Sequence, residues 1–109
     1  MPPLLEALID VATATTTTVV ALTSGKRIFV YRVYLRSAGT QTVTFRDSTP
    51  TNMMGGLDFA ARESLTLDLG RIQEGRPVPW FTCAIGTSFQ MVTSAAVQVS
   101  GRILYGVEP

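Results

Sequence analysis

Apolar and polar side chains alternate along much of the chain, and this pattern predicts β-strands. In residues 40–46, Val43 and Phe45 point to one side and the intervening threonines to the other, the period of two residues of a half-buried strand. Residues 96–105 repeat the period, with an inner set of Val97, Val99, Gly101, Ile103 and Tyr105 and an outer set of Gln98, Ser100 and Arg102. Each segment therefore has one core face and one solvent face.

Eight strands are predicted along the chain, separated by turn-forming residues. The glycines of SGK (residues 24–26) and SAGT (residues 37–40) reach the positive φ angles that tight hairpin turns need. A longer loop, which contains Pro50, spans residues 47–56. The predicted strands are residues 7–15, 18–22, 27–36, 40–46, 57–61, 64–69, 87–93 and 96–105.

This number of strands predicts an all-β fold. About eight short antiparallel strands, with turn residues about every 8 to 12 positions, indicate a two-sheet antiparallel sandwich. The long loop suits a jelly-roll-like crossing, and an up-and-down barrel is the alternative. No linker or repeat divides the 109 residues, so we predict a single β-sandwich domain, in which residues 1–15 form an N-terminal arm or an edge strand.

The segment KRIFVYRVYLRS (residues 26–37) departs from simple alternation. One predicted face carries Phe29, Tyr31, Val33 and Leu35, and the other carries Ile28, Val30, Arg32, Tyr34 and Arg36. The second face mixes apolar and charged side chains, and a small domain has little spare surface to cover it. We therefore predict that this face contacts a neighbouring subunit or a larger assembly.

The N-terminal segment MPPLLEALID is more apolar than a free surface tail usually is. Its apolar side chains are Leu4, Leu5, Leu8 and Ile9. Two interpretations follow: the segment is an arm that packs on a neighbour, or it continues into an edge strand of its own sandwich.

The chain lacks the catalytic side chains on which the commonest classes of enzyme depend. The chain has no histidine, which excludes the usual general base, the usual zinc ligand and the serine and cysteine triads. Cys83 lies in the apolar segment PWFTCAIG and is expected to be a small buried hydrophobe rather than a nucleophile. The carboxylates are dispersed, without calcium-loop spacing. We predict no catalytic residue, metal ligand or cofactor, and no enzymatic activity.

Charge and hydropathy restrict the partners. The net charge of +1 without a basic stripe predicts no nucleic-acid binding, and the apolar runs are far shorter than the roughly 20 residues of a membrane span. The single cysteine cannot pair within the chain, and the N-terminal segment lacks the features of a signal peptide. We expect a soluble protein that is made in a cytosol.

Three features suggest contact surfaces. Arginine supplies eight of the nine basic residues, Lys26 being the other, and arginine is favoured at protein interfaces; a GC-rich genome would also explain it. Trp80 lies in the extended segment GRPVPWFTC, where it either closes the core or anchors a ligand. Met53 and Met54 lie in a polar loop, where they either form an adaptable contact or fold over the core.

The succession VVALTSGKRIFVYRVYLRSAGTQTVTFRD, LDFAARESLTLDLG and PWFTCAIGTSFQMVTSAAVQVSGRILYG resembles small β-sandwich structural proteins of tailed bacteriophages, and among them capsid decoration (cement) proteins. The resemblance covers the chain from about Val19 onward. It implies a jelly-roll-like fold, assembly as a homotrimer and binding to the outside of a shell of major capsid protein. No functional residue is carried over from it.

The leading hypothesis is therefore a non-enzymatic virion protein that is made in the host cytoplasm and stabilises a capsid surface. A neck, tail or baseplate component is the alternative within the virion. A carbohydrate-binding module is the alternative of another class, with Trp80, Tyr31 and Tyr34 as its candidate platform.

Overall fold

The computed structural model describes residues 4–49, 51–68, 72–73 and 76–109, and in these residues the chain forms eleven β-strands and no helix. The strands are β1 (Leu5–Val11), β2 (Thr16–Val20), β3 (Arg27–Ser37), β4 (Gln41–Asp47), β5 (Leu57–Phe59), β6 (Ser64–Leu67), β7 (Ile72–Gln73), β8 (Arg76–Pro77), β9 (Phe81–Thr82), β10 (Phe89–Thr93) and β11 (Val99–Glu108). Each of the eight predicted strands overlaps one of these. Residues 1–3, Pro50 and residue 69, which the predicted arm, loop and sixth strand include, lie outside the described residues.

Nine of these strands form two antiparallel sheets, which confirms the predicted two-sheet sandwich. The five-stranded sheet has the order β1-β11-β3-β6, with β9 also pairing with β3, and the four-stranded sheet has the order β2-β10-β4-β5. The chain crosses repeatedly between the sheets, as a jelly-roll-like connection requires. Strands that are neighbours in a sheet are mostly not consecutive in sequence, so the up-and-down barrel is excluded. Strands β7 and β8 form a separate two-stranded ribbon.

The core lies between the two sheets. The rings of Phe45 and Phe89, from the four-stranded sheet, stack with their centroids 5.6 Å apart. Phe81, from β9 of the other sheet, lies 5.5 Å from Phe45 and 6.0 Å from Phe89. Aliphatic side chains from both sheets surround these rings. Burial of this apolar area is the main stabilising term of such a sandwich.

A β-bulge interrupts the long strand β3. In its pairing with β11, Arg32 lies opposite Leu104 and Val30 lies opposite Tyr105, so Tyr31 is an extra residue without a counterpart. An extra residue reverses the faces of the strand beyond it, because side chains alternate with a period of two.

The bulge overturns one prediction about this strand. Ile28 and Val30 do not share a face with Arg32, Tyr34 and Arg36; they are 1% and 0% exposed and belong to the core. The expectation that Ile28 and Val30 need cover from a partner is therefore wrong, because their own sandwich covers them.

Strand β1 is an edge strand of the five-stranded sheet. All of its seven residues pair with β11, and Ile9 and Val11 enter the core at 2% and 7% exposure. Ile9 is therefore not available to a partner, contrary to its prediction as an interface residue. Leu5 and Leu8, in contrast, are 46% and 67% exposed.

Candidate interaction surface

The outward side chains of β1, β11 and β3 form one continuous surface, which we call the outer face. The register of the sheet arranges it in rows, because Leu8 lies opposite Arg102 and Arg102 lies opposite Tyr34. The outer face has three such rows, which are Asp10, Ser100 and Arg36; Leu8, Arg102 and Tyr34; and Glu6, Leu104 and Arg32.

The middle of the outer face combines an aromatic ring with apolar side chains. Tyr34, on the central strand β3, is 45% exposed, and Leu8 is the most exposed large apolar side chain of the described residues at 67%. Leu104, in the next row, is half-buried. These three side chains line one groove, and exposed apolar side chains that are grouped in this way mark interaction sites more often than single ones do.

The carboxylates of the outer face have partners within the chain. Glu6 accepts a hydrogen bond from Nη1 of Arg102 at 3.2 Å in an exposed ion pair, and Asp10 accepts one from Nε2 of Gln98 at 2.6 Å. Among the described residues, no hydrogen bond or ion pair engages the guanidinium groups of Arg32, Arg36 or Arg62. The face is therefore richer in free cations than in free anions.

Two hollows open to solvent lie side by side on this face. The first, of about 470 Å³, is a groove lined by Leu8, Tyr34, Leu104 and Arg32 together with the Glu6–Arg102 pair. The second, of about 420 Å³, is lined by Arg36, Ala38, Arg62, Gln98 and Ser100. One hollow is thus mainly apolar with a free arginine at its border, and the other contains two free arginines.

Arg62 reaches the second hollow from the turn between β5 and β6. Its φ angle is 65°, in the left-handed region, and its backbone N–H donates to the carbonyl oxygen of Ser37 at 2.8 Å. The N–H of Ser37 in turn donates to the carbonyl oxygen of Glu63 at 3.0 Å. This reciprocal pair fixes the turn to the end of β3 and brings Arg62 beside Arg36.

Gly101 forms part of the floor of the groove and allows β11 to approach β3 closely. A Cβ atom at this position would lie 1.9 Å from the carbonyl oxygen of Tyr34 and 2.8 Å from the Cα atom of Leu35. Only glycine fits so close to a neighbouring backbone. The position of the Tyr34 backbone in the sheet therefore depends on Gly101.

The structure brings together four of the residues predicted for an interface and separates the others. The residues that it brings together on the outer face are Leu8, Arg32, Tyr34 and Arg36. Leu4 is half-buried and Leu5 is exposed at the start of β1. The sequence interpretation missed Arg62 as a member of this surface, since nothing in its local pattern signals a left-handed turn.

The two methionines lie in a loop that folds back onto the sandwich. The N–H of Met53 donates to the carbonyl oxygen of Phe45 at 3.0 Å, and Met53 and Met54 are half-buried against the core. They lie beside the four-stranded sheet, apart from the outer face. Of the two interpretations that the sequence left open, the structure therefore shows the loop that folds over the core.

The aromatic residues predicted as a sugar platform do not form one surface. Tyr31 is 4% exposed and stacks on Phe29, with the ring centroids 6.5 Å apart. Trp80 is half-exposed, and its indole N–H donates to the carbonyl oxygen of Asp68 at 2.9 Å. The backbone N–H of Trp80 donates to the carbonyl oxygen of Val30. Val30 precedes Tyr34 by four residues, so the two lie roughly 13 Å apart along the strand.

Cys83 is 1% exposed, as predicted for a small buried hydrophobe. Burial, with a smaller contribution from the charge of Asp47, raises the pKa of its thiol to about 12. The thiolate, which is the nucleophilic form, is therefore scarce at neutral pH.

Asp47 organises the loop after β4. Its Oδ1 atom accepts hydrogen bonds from the N–H groups of Thr49 at 3.0 Å and Thr51 at 3.1 Å and from the hydroxyl group of Thr49, while Oδ2 accepts a long one from Ala84 at 3.5 Å. Burial alone would raise the pKa of this carboxyl group, but the hydrogen bonds outweigh it and hold the pKa below its usual value. Asp47 is thus an ionised residue that stabilises the loop.

No protein-family model, curated protein or solved structure matches the chain. Among the described residues, no group of three or more His, Cys, Asp or Glu side chains is placed to hold a metal ion. The same residues include no helix that is long and apolar enough to cross a membrane. The fold and the surface together define an all-β sandwich with an exposed face of arginine, tyrosine and leucine.

Proposed function

We propose that the chain is a non-enzymatic structural protein that attaches to a large protein assembly through its outer face. The observation that carries the proposal is the composition of this face, where Tyr34 is exposed among arginines and lines one groove together with Leu8. Tyrosine and arginine are enriched at protein interfaces and most often dominate their binding energy. The sheet holds their backbone in place, so less conformational entropy is lost when a partner binds.

The assembly in this proposal is the shell of a tailed-phage capsid, which the protein decorates and stabilises from outside as a homotrimer. The resemblance to decoration proteins and the two-sheet sandwich fold support this choice. A small contact surface is sufficient in a symmetric assembly, because the binding energies of many weak contacts to one shell add up. The protein is then made in the host cytoplasm and resides on the virion surface.

Binding to undecorated, expanded capsids tests the proposal. The purified protein is expected to saturate the shells at a fixed ratio and to raise the temperature at which they break down, since a ligand of the intact shell stabilises it by mass action. Sedimentation of the free protein is expected to give a trimer. Equal binding to unrelated capsids or to bare DNA would contradict the proposal.

A matched pair of variants locates the contact. Tyr34→Ala removes the ring from the outer face and is expected to weaken capsid binding by about 30-fold or more, which corresponds to the loss of about 2 kcal/mol or more at an interface hot spot. Thr44→Ala alters the outward side of β4, on the other sheet, and is expected to leave binding unchanged. Loss of binding in Thr44→Ala, with Tyr34→Ala normal, would place the contact on the four-stranded sheet.

Two other functions predict different results in the same assays. A neck, tail or baseplate component would bind connector or tail structures and leave the capsid surface unsaturated. A carbohydrate-binding module would show a saturable change of tryptophan fluorescence with glycans and no binding to capsids; of its three candidate rings only Trp80 and Tyr34 are exposed, and these two lie apart.

A further inference from the structure

On the basis of the proposed function, we infer that the outer face binds an acidic segment of its protein partner, with carboxylates seated on Arg32, Arg36 and Arg62. An apolar side chain of the same segment packs in the neighbouring groove against Leu8 and Tyr34. The recognised chemistry is therefore a carboxylate and an apolar side chain that lie close together on one protein surface.

Charge is the first support for an acidic partner. The two carboxylates of the outer face are engaged within the chain, Glu6 by Arg102 and Asp10 by Gln98. Arg46, on the outward side of the four-stranded sheet, is engaged as well, since it donates to Gln90 at 3.2 Å and to Thr16 at 3.2 Å. The three arginines of the proposed site have no such partner among the described residues. A partner that complements them electrostatically carries negative charge.

The backbone of Arg62 is the second support. Its φ of 65° lies in the left-handed region, where a side chain with a Cβ atom is disfavoured and glycine is the most stable choice. An arginine at this position gains no intramolecular hydrogen bond or ion pair from its side chain among the described residues. Strained backbone positions cluster at functional sites such as ligand clamps.

The geometry of β3 sets the spacing of the partner groups. Tyr34 and Arg36 lie two residues apart on the same face, which is about 7 Å in a strand. Residues i and i+2 of an extended segment have the same separation. An apolar residue in the groove of about 470 Å³ thus places an acidic residue two positions along the segment over the hollow of about 420 Å³ between Arg36 and Arg62.

Carboxylates fit the site better than the phosphates of nucleic acid do. Arginine forms paired hydrogen bonds to both groups. However, the groove beside the arginines is lined by Leu8, Tyr34 and Leu104, and the net charge of the chain is only +1. Nucleic-acid sites are usually strongly basic along an extended track. We therefore assign the site to protein carboxylates.

The first test needs no capsid. The Nε–Hε signals of the arginines are followed by NMR while a short, end-capped peptide of alternating leucine and glutamate is added, with the leucine–glutamine peptide as control. With the glutamate peptide only, we expect the signals of Arg32, Arg36 and Arg62 to shift and that of Arg46 to stay in place. Added NaCl is expected to reduce these shifts, because salt screens the charges. No shift at the three arginines, or equal shifts at Arg46, would overturn the inference. Larger shifts with single-stranded oligothymidylate than with the glutamate peptide would overturn the assignment to carboxylates and indicate that the site binds phosphate.

The second test uses capsids and a pair of double variants of equal charge. Arg36→Gln with Arg62→Gln removes two charges from the proposed site, and Lys26→Gln with Arg27→Gln removes two charges near the opposite end of β3. We expect the first pair to weaken capsid binding by about tenfold or more and to reduce its salt dependence, and the second to change it little. Thermal denaturation of both variants checks that they are folded.

The outcomes separate the inference from the proposed function. Equal capsid binding by both double variants would overturn the inference and leave the proposed function standing. Specific binding of the glutamate peptide without any binding to capsids would refute the capsid proposal and support the acidic-segment site on its own.

Discussion

Replacement of Ile28 by alanine tests the β-bulge, because the bulge alone turns this side chain from the outer face into the core. Ile28 is 1% exposed. The change removes three carbon atoms, which at about 0.8 kcal/mol each amounts to about 2.4 kcal/mol of transfer free energy. The cavity that remains raises the expected loss to about 3–4 kcal/mol. At about 4 °C per kcal/mol for a chain of this length, the melting temperature falls by about 12–16 °C.

Leu8→Ala is the matched control. It also removes three carbon atoms, but from a side chain that is 67% exposed. Only about a third of the transfer term is then lost, or about 0.8 kcal/mol. Urea denaturation followed by far-UV circular dichroism and by the fluorescence of Trp80, the single tryptophan, measures both variants. Repeating it at several protein concentrations separates loss of folding from loss of assembly.

The alternative predicts the opposite order. If β3 had no bulge, Ile28 would lie on the outer face, and its replacement would disturb assembly while leaving the free energy of unfolding almost unchanged. A loss below about 1 kcal/mol for Ile28→Ala, or a loss no larger than that of Leu8→Ala, would refute the assignment of Ile28 to the core.

Three further predictions concern single positions. The lowered pKa of Asp47 makes its ionised form stabilise the folded state above the unfolded pKa of about 3.9, and this stability is lost as the pH falls through the lower folded value. The urea concentration at the denaturation midpoint is therefore expected to decrease as the pH is lowered below about 4, and to decrease less in Asp47→Asn. Identical pH profiles of the two proteins would contradict this. Gly101→Ala is expected to cost about 1–3 kcal/mol or more, because its Cβ atom meets the Tyr34 backbone, whereas Gly55→Ala, with open space around it, is expected to be nearly neutral in the same denaturation experiment. Cys83, with its pKa raised to about 12 by burial, is expected to react with a thiol reagent at neutral pH only after denaturation, and rapid labelling of the native protein would show that it is accessible.

Local alternation in the sequence was sufficient for eight of the eleven strands and for the class of fold, but not for the two-residue strands β7, β8 and β9. In β4, Val43 and Phe45 are buried while Thr42 and Thr44 are half-buried, as the period of two predicts. The ends of the strands were harder to predict from the sequence. The predicted first strand continued to residue 15, but β1 ends at Val11, and the hydroxyl of Thr93 donates to the carbonyl oxygen of Thr13 at 2.6 Å where the chain crosses to the other sheet. A tract of threonines has the same β propensity throughout, so only this tertiary contact marks the crossing.

The candidate site was predicted in part. Arg32, Tyr34 and Arg36 alternate on one face of β3, and the sequence alone groups them. The addition of Leu8 required the register of β1, β11 and β3, in which a residue far away in sequence becomes a neighbour. The addition of Arg62 required a left-handed turn that is bonded to Ser37.

The sequence by itself thus determined eight of the eleven strands, the two-sheet class and the types of side chain that the chain can offer, because periodicity and residue type are local properties. The tertiary structure decided which side chains share a surface. The segment RIFVYRVYLRS alternates equally well with or without an extra residue, and only its pairing with β11 makes Tyr31 the bulge that sends Ile28 and Val30 inward and leaves Arg32, Tyr34 and Arg36 outside. Register between strands is a non-local choice, set by the packing of both partners against the core, and no window of a single strand contains it.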